Sequence, residues 1–251
     1  MKTSVLDGLL RSRTWKVLGW VSFFVFVTAR ILVPARGDGS AGLSVLGSDL
    51  LQALGRPLDV PDGGLPVAIL VALLLSLPIA GFTLSSGALA SQLKLQGLRL
   101  VMLRVSRTEY WVGRLLGESL LLAGLTFFAT ALALLNGQQR SPMLSLESTV
   151  APTLGFALVA WSYGCVFLMS GHLMVIAGRG GGWKTVTAGL GLGLWFLLPL
   201  VLGADSLSPL GCVAGLLSQD SAALGLAVLS LIGFSGLLGG ITHSLFRRLE
   251  L

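Results

Sequence analysis

GALASQLKLQGLRLVMLRVSRTEYWVGRLLGE, residues 87–118, sits between two long apolar runs and carries Lys94, Arg99, Arg104, Arg107 and Arg114 against Glu109 and Glu118. Apolar residues recur at Leu89, Leu93, Leu95, Leu98, Leu100, Met102 and Leu103. That mixture predicts a basic, amphipathic, partly helical segment lying at a membrane surface. Such a segment suits anionic lipid or a partner protein. It is the largest surface that an otherwise lipid-buried chain offers to one side of the bilayer.

The composition around it explains why the rest is lipid-buried. Hydrophobic residues make up 54% of the 251 and charged residues 11%, where soluble domains carry roughly 25% charged. Runs of about 20 apolar residues match the length needed to span a hydrocarbon core. They do not alternate in polarity, which excludes a barrel and leaves an all-α integral membrane fold. The 34 glycines suit close helix contact in lipid. A net charge of +6 speaks to topology and anionic headgroups. No soluble basic patch with interleaved aromatics accompanies it, so nucleic acid is not an expected partner. Cys165 and Cys212 form neither a metal-knuckle nor a redox spacing.

Six transmembrane helices are predicted, at about 15–33, 66–85, 115–135, 152–177, 186–202 and 222–242, and they form one transmembrane domain. Residues 1–16, with Lys2, Arg11, Arg13 and Lys16 against Asp7, read as an N-terminal amphipathic interfacial helix. Val27-Thr28-Ala29 imitates a cleavage site, but the apolar run exceeds that of a signal peptide, and an uncleaved anchor is expected. Pro and Gly bound a short surface helix within 34–65, and the second span carries Pro78. The loop 203–221 has enough apolar residues for a re-entrant or surface helix.

Six spans put both termini on one side, and the cations say which. Lys2, Arg11, Arg13, Lys16, Lys94, Arg99, Arg104, Arg107, Arg114, Arg179, Lys184, Arg247 and Arg248 fall on the side of the termini, and Arg30, Arg36, Arg56 and Arg140 on the other. Asp38, Asp49, Asp59, Asp62, Glu147, Asp205 and Asp220 show the reverse bias. The positive-inside rule then predicts cytoplasmic termini and a cytoplasmic basic stretch.

Several motifs imitate chemistry. Gly178 to Thr185 (GRGGGWKT) resembles a phosphate-binding loop, but Trp183 stands where a glycine is needed and the loop joins two spans. No nucleotide site is expected in this chain. Gly233-Phe234-Ser235-Gly236 resembles the GxSG of rhomboid intramembrane proteases. His243 is eight residues on, about 12 Å along the helix, too far to serve as the base of a serine nucleophile. An intramembrane serine hydrolase is therefore a remote alternative. Cys165, Met169 and His172 share one face of the fourth span. Thiolate, thioether and imidazole suit Cu(I), so a copper- or haem-handling permease is the nearer alternative, with packing the simpler reading. Glu118, one turn into the third span, is either a functional intramembrane charge or the i+4 partner of Arg114. Glu109 reads as a docking or pairing charge. Gly189/Gly193 and Gly236/Gly240 form GxxxG pairs that suit helix contact.

Val105 to Gly117 (VSRTEYWVGRLLG) resembles the V-S-R-x-E-x-x-x-G-[KR]-x-x-G segment before the third span of type-2 ABC exporter permeases. The wider layout is similar in its basic N-terminal helix, its six spans and its long inner loop after span two. The resemblance covers the whole chain in topology and 13 residues in motif. Arg104 meets Val105 without the family's usual proline, and Gln92 or Gln96 stands where an acidic residue is usual.

The resemblance implies a cytoplasmic coupling helix between helices 2 and 3, at about 90–103, docked on a separate ATPase subunit. Gln92, Lys94, Gln96, Arg99, Arg104, Arg107 and Glu109 would be the ATPase-coupling residues, with Gly113 and Gly117 allowing close packing of the third span. It further implies two ATPase subunits that hold ATP and Mg²⁺, a second permease copy or homologue, contact with membrane lipids and room for a periplasmic partner. The chain itself would be no enzyme and hold no cofactor. One outcome checks the topology: a cysteine at position 99 should label only from the cytoplasmic face, and labelling from outside would overturn the arrangement.

Overall fold

The computed structural model describes residues 19, 69, 73–74, 76–85, 105–140, 146–179, 189–195 and 221–248. Every regular element among them is helical, and none is a strand. We number the helices α1 (Ser76–Ser85), α2 (Arg107–Arg140), α3 (Leu146–Arg179), α4 (189–195) and α5 (Ser221–Arg247). Three stretches are long and apolar enough to cross a membrane: Arg107–Leu135, Thr153–Gly178 and Gly225–Arg247. They correspond to the third, fourth and sixth spans expected from sequence. The expected interfacial helix at 1–16, the coupling helix at 90–103, the surface helices within 34–65 and 203–220, and Gln92, Lys94, Gln96, Arg99 and Arg104 lie outside the described residues. So does the first span apart from Gly19.

Helix α2 starts eight residues before the span predicted there, and the cause is a capping box. Ser106 Oγ accepts from the Glu109 backbone N–H at 3.2 Å, and the Glu109 carboxylate accepts from the Ser106 N–H at 3.0 Å and hydroxyl at 2.7 Å. Two orphan backbone donors of the first turn are thereby satisfied. With 34 residues, α2 extends about 51 Å at 1.5 Å per residue, well beyond a hydrocarbon core of about 30 Å. Its first turns therefore continue the membrane helix outward as one rod.

Helix α3 is the centre of the bundle. Two-thirds of its membrane-length window is buried (67%), against 39% for α2 and 22% for α5. Ala157, Val159, Ala160, Val166 and Leu168 are fully enclosed. On one side Phe156, Ala160 and Cys165 pack with Ile69, Leu73, Leu77 and Ala80 from the α1 side and with Leu122, Ala129 and Ala133 of α2. On the other, Val159, Tyr163, Val166, Leu168 and Met169 pack with Ala227, Leu231 and Leu238 of α5. Helix α4 closes on this second group, where Trp195 meets Phe234 edge to face at 5.1 Å.

The small residues that permit close approach are not the GxxxG pairs. A Cβ on Gly81 would stand 2.7 Å from the Gly164 carbonyl oxygen, one on Gly164 would stand 3.0 Å from a Leu122 methyl, and one on Gly171 would run into Ser85 Oγ. Helices α1 and α3 thus meet backbone to backbone, as helices do in lipid when dispersion has to supply the contact. Gly113, Gly117, Gly193, Gly236 and Gly240 have open space instead among the described residues, and Gly189 faces only Met174 at 3.4 Å. The close packing expected at those positions is not made within the described part of the chain.

The pairing of residues sets the direction of each helix. Gly81 meets Gly164 and Ser85 meets Gly171, so α1 runs parallel to α3. Trp111 meets His172 and Phe246, and Arg107 meets Arg247, so α2 begins where α3 and α5 end. Both ends of the 86–104 connection therefore lie at one end of the bundle, together with Arg107, Arg114, Arg247 and Arg248. We call this the basic end.

Gly81→Ala should lower stability by about 1–3 kcal/mol, because the new methyl meets backbone that cannot yield. Gly113→Ala should leave it equal or raise it by up to about 1 kcal/mol through helix propensity. Thermal unfolding in detergent checks the pair, and equal effects would refute the backbone contact.

Candidate functional site

At the basic end, α2 and α3 are joined by groups that the bilayer interior does not tolerate singly. Arg114, Glu118 and His172 are all buried. Arg114 Nη2 lies 2.8 Å from Glu118 Oε1, and His172 Nε2 lies 2.6 Å from Glu118 Oε2. The first contact is short enough for an ion pair, although its angle is off the line of a hydrogen bond. Arg114 also donates through Nη1 to the Tyr110 hydroxyl at 3.0 Å. Helical spacing brings Tyr110, Arg114 and Glu118 into one row, four residues apart. His172 reaches the same carboxylate from α3.

His172 Nδ1 is buried and has no hydrogen-bond partner among the described residues. Where the ring proton sits on Nε2, the N–H donates to Glu118. The Glu118 carboxylate offsets the Arg114 guanidinium, and pairing is the least costly way to keep an arginine in an apolar bundle.

An aromatic stack covers the trio. Trp111 stands edge-on to His172 at 5.2 Å, and its other neighbour is Phe246, stacked at 5.1 Å. Tyr110 stacks on Phe246 at 6.1 Å, and Ile176 completes the cluster. Arg107 reaches across to α5, where Nη1 donates to the Arg247 carbonyl at 2.6 Å. This satisfies a helix C-terminal acceptor and places positive charge at the negative end of the helix dipole.

Sequence spacing found Arg114 and Glu118 as a local pair, and the structure makes that pair. It missed His172 as the third member, because nothing local ties residue 172 to residue 118. Glu109, expected as a docking or pairing charge, caps α2 through Ser106. Here the S-x-x-E signal was present in the sequence.

Cys165 and Met169 line a cavity between α2, α3 and α5. His172 instead lies against Trp111 and Glu118, so the soft-ligand trio does not share one lining. Cys165 Sγ lies 3.5 Å from Ser119 Oγ. Among the described residues, no three His, Cys, Asp or Glu side chains are grouped as a metal site. Ser235 donates its hydroxyl proton to the Leu231 carbonyl at 2.9 Å, not to a histidine. Residues 180–185 lie outside the described residues.

Glu118→Ala strands the Arg114 charge and should cost about 3–5 kcal/mol. Replacing the trio together by Arg114→Met, Glu118→Leu and His172→Phe should recover most of that loss. Unfolding midpoints in detergent decide it, and additive losses would show that the three groups are not coupled. No protein-family model matches the chain, and no curated protein is significantly similar to it.

Proposed function

We propose that this chain is the transmembrane permease subunit of an ATP-binding-cassette exporter of the type-2 class. It has six spans with both termini in the cytoplasm, and it couples ATP hydrolysis by a separate ATPase subunit to transport or to mechanical transmission across the membrane. The observation that carries the reading is the junction at the basic end. The 13-residue segment that resembles the family motif, Val105 to Gly117, supplies the cap and the first turns of α2. Arg107 of that segment holds α5, and Arg114, through Glu118, holds α3.

The physical argument runs from those contacts. A displacement applied to the connection 86–104 enters α2 at a capped, unfrayed turn. Loose loops would absorb it. Here the ion pair, the carbonyl clamp and the Trp111–Phe246 stack pass it to α3 and α5 as a body movement, the usual route from small shifts to alternate access. Lys94, Arg99 and Arg104 supply the charge to dock an ATPase, with Gln92 and Gln96 beside them. ATP and Mg²⁺ are held by that partner, two copies of which pair with two permease subunits. No catalytic step is assigned to this chain.

Purification under mild detergent should bring down a partner with a true phosphate-binding loop, and the isolated chain should not hydrolyse ATP. Reversing Lys94, Arg99 and Arg104 to glutamate should release the partner. Arg107→Glu should keep it bound while its ATPase rate loses dependence on the membrane subunit. ATP hydrolysis by the chain alone, or a complex indifferent to all four reversals, would overturn the proposal.

A further inference from the structure

Helices α2 and α5 both lean on α3 and meet each other at the basic end, which leaves a cavity of about 500 Å³ between them. It is lined by one face of each helix. On α2 the face runs from Thr108 to Ser119, and on α5 from Ile232 to His243. Eleven residues of helix on either wall make it about 16 Å long. Its volume lies within the range of small-ligand sites, about 300–1,000 Å³.

The polarity of this groove is sorted along its length. Toward the end away from the basic end, the polar atoms are already satisfied. Ser162 donates to the Leu158 carbonyl, Ser235 to the Leu231 carbonyl, and the Trp161 indole N–H to the Ser119 carbonyl. What remains there to meet a ligand is methyl, thioether and ring carbon. At the basic end the reverse holds. Trp111 is 2% exposed, and its indole N–H has no acceptor among the described residues. Nδ1 of His243 is likewise buried without a partner. An obligate donor left unpaired in a dry site is costly, so the Trp111 N–H marks where the acceptor of a ligand belongs. Among the described residues the charge there is positive: Arg247 and Arg248 follow His243 within a turn or so, and the carboxylates Glu109 and Glu118 are engaged by Ser106 and by Arg114 with His172.

We propose that the groove binds an anionic amphiphile drawn from the bilayer. Its acyl chain lies along the groove away from the basic end, and its phosphate or carboxylate head sits at the basic end, accepting from Trp111 Nε1 beside His243. An anion on an aliphatic tail is the one ligand whose polarity is graded as the groove is graded. This deepens the permease reading by naming the class of cargo. It rests on that reading for directed movement but not for binding.

Gly236 and Gly240 line the groove, and a side chain at either meets open space, so each can be enlarged without disturbing the fold. The probe is lysophosphatidylglycerol with a photoactivatable acyl chain, added to the purified full chain in detergent. Label should map to α2, α3 and α5 faces of the groove and exceed that from the matching lysophosphatidylcholine. Gly236→Leu and Gly240→Leu should each cut labelling by about tenfold or more, while Gly124→Leu, on α2 outside the groove, should not. Trp111→Phe keeps an aromatic ring against Phe246 and removes the five-membered ring with its N–H; a thermal unfolding midpoint in detergent close to that of the parent shows that the fold survives it. The substitution should weaken binding about tenfold, the scale of one hydrogen bond to a charged group, and erase the preference for the anionic head.

Labelling indifferent to both leucines, or equal for the two headgroups, would overturn the proposal. So would a photocrosslinking residue at position 240 that captures a second copy of the chain in place of lipid. All these readouts need no ATPase. Their failure leaves the permease reading standing, and failure to recover an ATPase partner leaves the groove's ligand intact.

Discussion

A guanidinium and a carboxylate cannot enter an apolar bundle separately, and the arrangement of α2 against α3 follows from that constraint. Arg114 sits on the buried face of α2, and Glu118 one turn on neutralises it. Glu118 then has a second oxygen to satisfy, and His172 satisfies it from α3. Burial of apolar area sets no register between two helices in lipid, because a methyl is as well solvated by acyl chains as by leucine. A three-member polar contact does set it, since one turn of slippage would leave a charge bare. The aromatic cluster of Trp111, Ile176 and Phe246 extends the same register to α5.

The remaining polar side chains are kept from competing with this contact by a simpler device. Thr126, Thr130, Ser170 and Thr242 each donate to a carbonyl three or four residues back in their own helix. A hydroxyl so engaged is almost an apolar group to its neighbours, and the backbone remains internally bonded as lipid demands. Functional polarity in the described part of the molecule is thus concentrated at one end. The family-like segment 105–117 begins the helix that carries most of it.

Much of this was legible in advance. Apolar run lengths placed α3 to within a residue of its membrane-length stretch and found α2 and α5 with one end of each displaced by a turn or two, and the balance of cations foresaw that residues near 107 and 247 share one end. The start of α2 could have been read too, from Ser106 and Glu109, but charge spacing drew attention to Arg107 instead. What local pattern could not supply is which helix faces which. Gly236 and Gly240 have textual spacing for helix contact yet border a groove, whereas Gly81, Gly164 and Gly171 make the contacts. Ala160, Gly164 and Gly171 do follow a small-residue row along α3, but their partners lie some 85 residues away. The triad has the same character: Arg114 and Glu118 are four residues apart, and His172 is distant in sequence and near only once α3 has docked.

The described polar bridges between helices all involve α2 within its first thirteen residues, from Arg107 to Ser119. Farther along, α2 touches α3 through Leu122, Ala129 and Ala133, whose methyls can slide past one another with little change in energy. Among the described helices the contact between α2 and α3 is therefore graded, pinned by polar groups at the basic end and made by methyls beyond it. A sideways force on α2 meets directional bonds at one end and only dispersion at the other.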